Sequence, residues 1–283
     1  MQRFILILIA LIPAGCIQCL GVRLSVPVIY DVFDSIAEEP DTELAREASS
    51  ANLKILEAAI ETDPNNRKLL QLACRGFAGY ALAFVSEDEP ERARDLLERA
   101  RDYGFRALRK SRFRGLPDAD LETVKLSVLR LRKKDVAELF WPTFAWGYWI
   151  NLSRDKPAAL VQLPRVEVLM NRLLELDEGF FYGGPHVFFA LLYSSRAETL
   201  GGQPEKAKEH FEKAIKLADG KFLLTYYFYA RYYAVVTQNQ ALCEELLNKV
   251  VDAPSNLLPE QRLMNQVSRK RAGDFLIDME DYF

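Results

Sequence analysis

Residues 201–214 read Gly201-Gly202-Gln203-Pro204-Glu205-Lys206-Ala207-Lys208-Glu209-His210-Phe211-Glu212-Lys213-Ala214. Ala207, Phe211 and Ala214 lie four and three residues apart, which places them on one face of a helix opened by Pro204. Small residues at 207 and 214 let a neighbouring helix approach, and the Phe211 ring fills the groove between the two. Lysine and glutamate alternate over the other positions, as they do on the solvated, ion-paired face of an exposed helix. The stretch predicts a surface that binds something rather than a catalytic machine.

This spacing is that of the second helix of a tetratricopeptide (TPR) helix pair. It can be laid on four further places, with Asn52/Leu56/Ala59, Ala93/Leu97/Ala100, Val166/Met170/Leu173 and Leu242/Leu246/Lys249 standing where Ala207/Phe211/Ala214 stand. Asp63-Pro64-Asn65, Asp177-Glu178 and Ala253-Pro254 supply closing turns for three of them. The starts at 52, 93, 166, 207 and 242 are separated by 41, 73, 41 and 35 residues, against about 34 for a standard repeat. The helices must be longer than usual, and the widest gap must hold an insertion or a degenerate unit. Strand-like alternation is almost lacking. The expected fold is all-α, a TPR-like array of antiparallel helix pairs forming a single domain over residues 41–283.

A chain of 283 residues, 49% hydrophobic and 27% charged, has the composition of a globular protein with a sizeable core. A net charge of −3 argues against nucleic acid as a partner, since that calls for a strongly basic face. The N-terminus reads as a lipoprotein signal peptide spanning residues 1–15. One cation, Arg3, precedes an apolar run over residues 4–12 and then Pro13-Ala14-Gly15-Cys16. That run is shorter than the roughly 20 residues a membrane-spanning helix needs. Small residues before Cys16 suit a lipoprotein signal peptidase, so Cys16 is the expected lipidation site and residues 16–40 the lipidated tether and entry segment, broken at Pro27 and Pro40. Two or three acyl chains would anchor the chain stably. Ile17, where an aspartate would favour retention in the inner membrane, points to the outer one. Cys74 and Cys243 lie in apolar helical patterns and read as small core residues.

Residues 140–152 are the least ordinary helix, Phe140-Trp141-Pro142-Thr143-Phe144-Ala145-Trp146-Gly147-Tyr148-Trp149-Ile150-Asn151-Leu152. A helix apolar all round is buried on every side. One flank uses Trp141, Phe144 and Tyr148, another Trp146, Trp149 and Ile150, which is too much bulk for one TPR groove. This helix is therefore either the hub of the core or the wall of a cavity. Pro142 would kink it unless the helix starts there. Matching aromatics recur at Phe188, Phe189 and Tyr193, and at Tyr226, Tyr227, Phe228, Tyr229, Tyr232 and Tyr233. Tyrosines bury a ring but need a partner for the hydroxyl, which fits a cavity with an apolar wall and a few polar contacts. The cavity candidates are Trp141, Trp146, Trp149, Phe188, Tyr193, Tyr226, Tyr229 and Tyr233, with a plain aromatic core as the competing reading.

Catalytic chemistry finds no support. His186 and His210, the two histidines, are 24 residues apart and in no ligand spacing, so neither a metal site nor a cofactor is expected. Nucleophile elbow, phosphate loop and dinucleotide fingerprint are all missing from the sequence. His210 reads as a surface residue. His186, after Gly183-Gly184-Pro185, lies at a helix start from which it could reach a ligand. Basic residues at 106, 109, 110, 112 and 114 and at 130, 132, 133 and 134 read as solvated helix ends, or else as a patch for an acidic partner or lipid headgroups.

Taken together, these residues resemble the T-component family of TRAP (tripartite ATP-independent periplasmic) transporters. The resemblance is carried by Ala145-Trp146-Gly147, Leu163-Pro164-Arg165-Val166-Glu167-Val168-Leu169-Met170, Leu174-Glu175-Leu176-Asp177-Glu178, Gly220-Lys221-Phe222-Leu223 and Tyr229-Ala230-Arg231-Tyr232-Tyr233-Ala234. Pro13 before the lipidation motif and Pro142 inside the aromatic helix depart from the pattern. The resemblance implies a periplasmic, TPR-containing lipoprotein that associates with a solute-binding P subunit, can assemble as a homotrimer, and has an internal hydrophobic passage for a solute. The function expected is thus non-catalytic. The protein would dock a P subunit and shelter an apolar or amphipathic organic-acid ligand in an aromatic cavity. The alternative is a TPR scaffold for envelope protein assembly with no small-molecule ligand.

Overall fold

A computed structural model describes residues 14–108, 113, 115–194 and 202–283, with the backbone alone for 14–17. Every regular element among the described residues is helical. In chain order these are α1 (Ala14–Ala37), α2 (Thr42–Thr62), α3 (Arg67–Phe84), α4 (Pro90–Ala107), α5 (Leu121–Val128), α6 (Val136–Leu152), α7 (Pro157–Leu160), α8 (Leu163–Leu176), α9 (Phe180–Ser194), α10 (Pro204–Leu217), α11 (Leu223–Tyr229), α12 (Gln240–Val251) and α13 (Arg262–Ile277).

Local chemistry sets the boundaries. Asp41 accepts from the amides of Glu43 and Leu44 at the start of α2, and Asp120 accepts from the Thr123 amide at the start of α5. Asn239 does the same for Leu242 in α12. Each side chain satisfies a donor that the first helical turn leaves without a partner. Pro90 and Pro204 open α4 and α10, where a missing N–H costs nothing.

The long helices pack in sequence, α1 on α2, α2 on α3, α3 on α4, α4 on α6, α6 on α8, α8 on α9 and so on to α12 on α13. The last helix, α13, also packs on α1 and α2, so the array closes on its own beginning. All five repeat placements fall on helices. Ala93, Leu97, Ala100, Val166, Met170, Leu173, Ala207, Phe211 and Ala214 are fully buried. The outer two placements are out of register. Lys249 is exposed, and the buried stripe of α12 is Cys243, Leu246, Leu247 and Val250. In α2 it is Ala45, Ser49, Leu53, Leu56 and Ile60, one residue on from the reading that began at Asn52.

One expectation about proline is corrected, and a second is narrowed. The tether and entry segment, residues 16–40, is not broken at Pro27. The backbone is helical from Ala14 to Ala37 with Pro27 inside. Val22, Val26, Ile29, Tyr30 and Phe33 pack into the core formed with α2 and α3, and this burial outweighs the one helical bond that Pro27 removes. Pro142 lies inside α6 and neither starts nor ends it. It is buried, so packing again holds the helix through the defect.

Candidate functional site

Besides a small cluster of Ala45, Ala83, Leu263 and Val267, three large hydrophobic clusters lie around α1 to α4, around α4 to α8 and around α9 to α13. Phe144 of α6 is packed against all three large clusters. This hub lies beside two cavities. The first, with about 130 Å³ open to water-sized molecules, lies among α6, α8, α9 and α11 and is lined by residues that include Gly147, Tyr148, Phe188 and Leu191. The second, about 140 Å³ by the same measure, lies among α1, α2, α3, α6, α9 and α13 and is lined by Phe33, Tyr80, Trp141, Phe181, Phe222 and others. Leu82, Phe144, Val187 and Phe228, from α3, α6, α9 and α11, border both. One ring of side chains thus divides two back-to-back apolar spaces.

Polar side chains are few on these walls. The first cavity has the Tyr148 hydroxyl, Asn151 and Arg154, and the second has Ser49, Arg75, Tyr80 and Gln261. Burial pushes the Tyr148 phenol upward, and the neighbouring Tyr232 adds to this, so the hydroxyl keeps its proton near the Ser86 side chain. A ligand fitting this space offers mostly hydrocarbon and few hydrogen-bonding groups.

The wall depends on close approach and on local backbone irregularity. A Cβ on Gly147 would come within 2.5 Å of Phe188 Cε2, so a side chain there would push the Phe188 ring away from α6. At the start of α9, Phe181, Tyr182 and Gly183 all have left-handed φ values of 44°, 57° and 77°. For Phe181 and Tyr182 that conformation is strained. The turn directs the Phe181 ring onto Trp141, with centroids 4.6 Å apart, and stacks Tyr182 on Phe222 at 4.9 Å. After α11 the helix widens into a π-helical segment, Ala230–Ala234, in which the Val235 amide donates to the Ala230 carbonyl. The extra residue rotates the downstream side chains relative to a regular helix.

Of the expected cavity residues, Trp141 lines the second cavity and Phe188 the first. Trp146 and Trp149 face the other way, into a large polar cleft with Arg101, Arg106 and Arg165. There the Trp146 indole N–H donates to Gln162 at 2.8 Å, and guanidinium groups of Arg165 and Arg101 lie over Trp146 and Trp149. Tyr229 is buried, its ring stacked on Phe211 at 4.8 Å and in contact with Tyr233. Tyr193 stacks on Phe189, and Tyr226 is half-buried against the α9 to α13 cluster. Helices α6, α9 and α11 all contribute to the cavity walls, but largely through residues outside the expected set, among them Phe140, Phe181, Val187 and Phe228. Phe144 and Tyr148 stand on the flank with Trp141 named from spacing, and that flank is the one facing the cavities.

The histidines also require correction. His186 is buried, and its Nδ1 lies 2.8 Å from Nδ1 of His210. His210 is half-buried in this contact rather than a surface residue. The Nε2 of His186 lies 3.3 Å from Glu178, whose carboxylate also receives Lys213 at 2.8 Å. With His186 donating from Nε2 to Glu178, its Nδ1 accepts a hydrogen bond from the Nδ1–H of His210, and the pair is satisfied when both rings are neutral. Burial and then the neighbouring His186 lower His210 to about 4, and burial lowers His186. Packing of α9 on α10 joins two residues that are distant in sequence. Among the described residues no group of three or more ligating side chains could hold a metal ion.

Cys19, Cys74 and Cys243 are free thiols, the last two buried. Cys16 falls in α1 by its backbone, while its side chain lies outside the described residues, as do residues 109, 110, 112 and 114 of the expected basic cluster. No helix among the described residues is long and apolar enough to cross a membrane.

Comparison with known proteins places this geometry. An uncharacterised protein of Treponema pallidum (strain Nichols) is 23% identical over 263 residues, covering 87% of this chain and 81% of that protein. The family model for the TRAP transporter T-component matches residues 38–283, which takes in α2 to α13 and most of the residues around both cavities. The chain belongs to the TRAP transporter T-component family and is thereby an accessory component of TRAP transport.

Proposed function

We propose that this protein is a non-catalytic, periplasmic lipoprotein that docks the solute-binding P subunit of a TRAP system and shelters an apolar or amphipathic organic acid in the joined space of its two cavities. The observation that carries this reading is the ring of Leu82, Phe144, Val187 and Phe228, which borders an apolar cavity on each side. A side-chain rearrangement at this ring would connect the two spaces into one passage. Acylation of Cys16 would hold the protein at a membrane, the outer one by the Ile17 argument, and assembly as a homotrimer would present several such passages to P subunits.

Native mass spectrometry of the purified protein tests the ligand, with a retained small molecule of amphipathic character expected. Val187→Trp places bulk in the shared ring and should abolish that retention with little change in melting temperature. Retention of nothing by the unaltered chain would favour a scaffold that binds protein segments only. Labelled palmitate should enter the unaltered chain and not Cys16→Ala, and equal labelling of both would refute the anchor.

A further inference from the structure

The backbone of α1 is helical through position 16 and onward to Ala37, and the same helix packs on α2 and α3. No flexible spacer therefore separates the expected acylation site from the folded body. At about 1.5 Å per residue, Leu20, Leu24 and Val28 stand only about 6, 12 and 18 Å along the axis from Cys16. These three are 58%, 73% and 62% exposed. Their four-residue spacing sets them in one stripe, opposite the side that buries Val22, Val26 and Phe33. The apolar exposure ends where the chain moves away from position 16, and the next exposed positions include Asp31, Asp34 and Ser35.

We propose that the stripe Leu20, Leu24 and Val28 lies in the lipid interface of the membrane to which Cys16 is attached, so that α1 is a rigid strut that fixes the orientation of the body. This rests on the acylation of Cys16 proposed above. Three exposed aliphatic side chains on the turns nearest an acyl anchor have a bilayer within reach, and a helix apolar on one face and polar beyond is suited to its headgroup boundary. Arg23, on the adjacent face, is held by Asp63 at 2.8 Å and so stays with the protein.

The test uses the mature lipidated chain with Cys19→Ser, which keeps a donor for the Thr62 carbonyl, and a nitroxide attached at Leu24→Cys. Vesicles of phosphatidylethanolamine and phosphatidylglycerol supply the membrane, and Glu244→Cys, exposed on α12, is the control site. On vesicles the label at 24 should become severalfold more accessible to oxygen relative to a water-soluble nickel chelate, while the label at 244 keeps its aqueous ratio. An aqueous ratio at 24 on chains that float with the vesicles would overturn the strut and leave the anchor standing. Failure to float would remove both. Dipolar broadening between labels at 24 would show a second copy covering the stripe, and would equally refute the lipid contact.

Discussion

Arg271 of α13 donates to the Leu82 carbonyl at 2.9 Å, across 189 residues of chain, and thereby fastens the last helix of the array to the end of α3. The same guanidinium reaches the Ala83 carbonyl and sits 3.3 Å from Glu87, which also accepts from the Tyr227 hydroxyl at 3.1 Å. Cationic donors at the last carbonyls of α3 are favoured by the helix dipole. Since Leu82 borders both cavities, the contact that closes the array also positions their wall.

Arg271→Met should cost about 1–3 kcal/mol, because it removes the one guanidinium that serves the Leu82 and Ala83 carbonyls and the Glu87 carboxylate together. Arg271→Lys should recover less than half of this, as one ammonium lacks the fork that serves several acceptors. Urea denaturation of the three proteins measures it, and equal stability of all would remove Arg271 from the closure.

Tyr229 is core and not cavity wall, so Tyr229→Ala should lower stability by about 3–5 kcal/mol, the range for a large buried aromatic. Phe144→Ala, at a half-buried ring on the cavity wall, should cost less and weaken an apolar fluorescent probe more. Paired melting and probe titration of both variants separate the roles. A larger probe effect from Tyr229→Ala would reverse the assignment.

Ala207→Trp and Ala214→Trp should each destabilise by about 1–3 kcal/mol through overpacking. Ala214 is the more severe of the two, because its Cα and Cβ face the backbone of Gly183, where even a Cβ would come within 2.9 Å. Unchanged melting of both variants would exclude α9–α10 contact at these positions.

Stability should depend on pH through His210. Unfolded, this histidine titrates near 6.5, whereas in the fold burial and His186 hold it down to about 4. Between those values unfolding takes up a proton, so stability falls as pH drops through this window and stops falling from this source below it. The full linkage of about 3 kcal/mol is reduced by solvent screening at this half-buried ring, to on the order of 1–2 kcal/mol. His210→Gln should flatten the melting temperature against pH over that interval. A profile unchanged by the substitution would show that the histidine contact does not report on folding.

The sequence by itself determined the helical class, the position of most helices and the buried faces of α4, α8 and α10. Those helices are amphipathic, and a 3.6-residue period with a charged opposite face leaves one way to bury them. It also marked α6, α9 and α11 as aromatic helices, cavity walls or plain core. Tertiary structure decided which rings of those walls meet the cavities, because a helix apolar all round has no period from which a face can be read. Phe228 and Tyr229 are neighbours in sequence, yet one borders both cavities and the other is stacked on Phe211. Continuation of α1 through Pro27, the left-handed turn at Phe181 and Tyr182, and the meeting of His186 with His210 were likewise beyond local reading. Each is unfavourable or neutral in its own segment and is stabilised by partners from elsewhere in the chain.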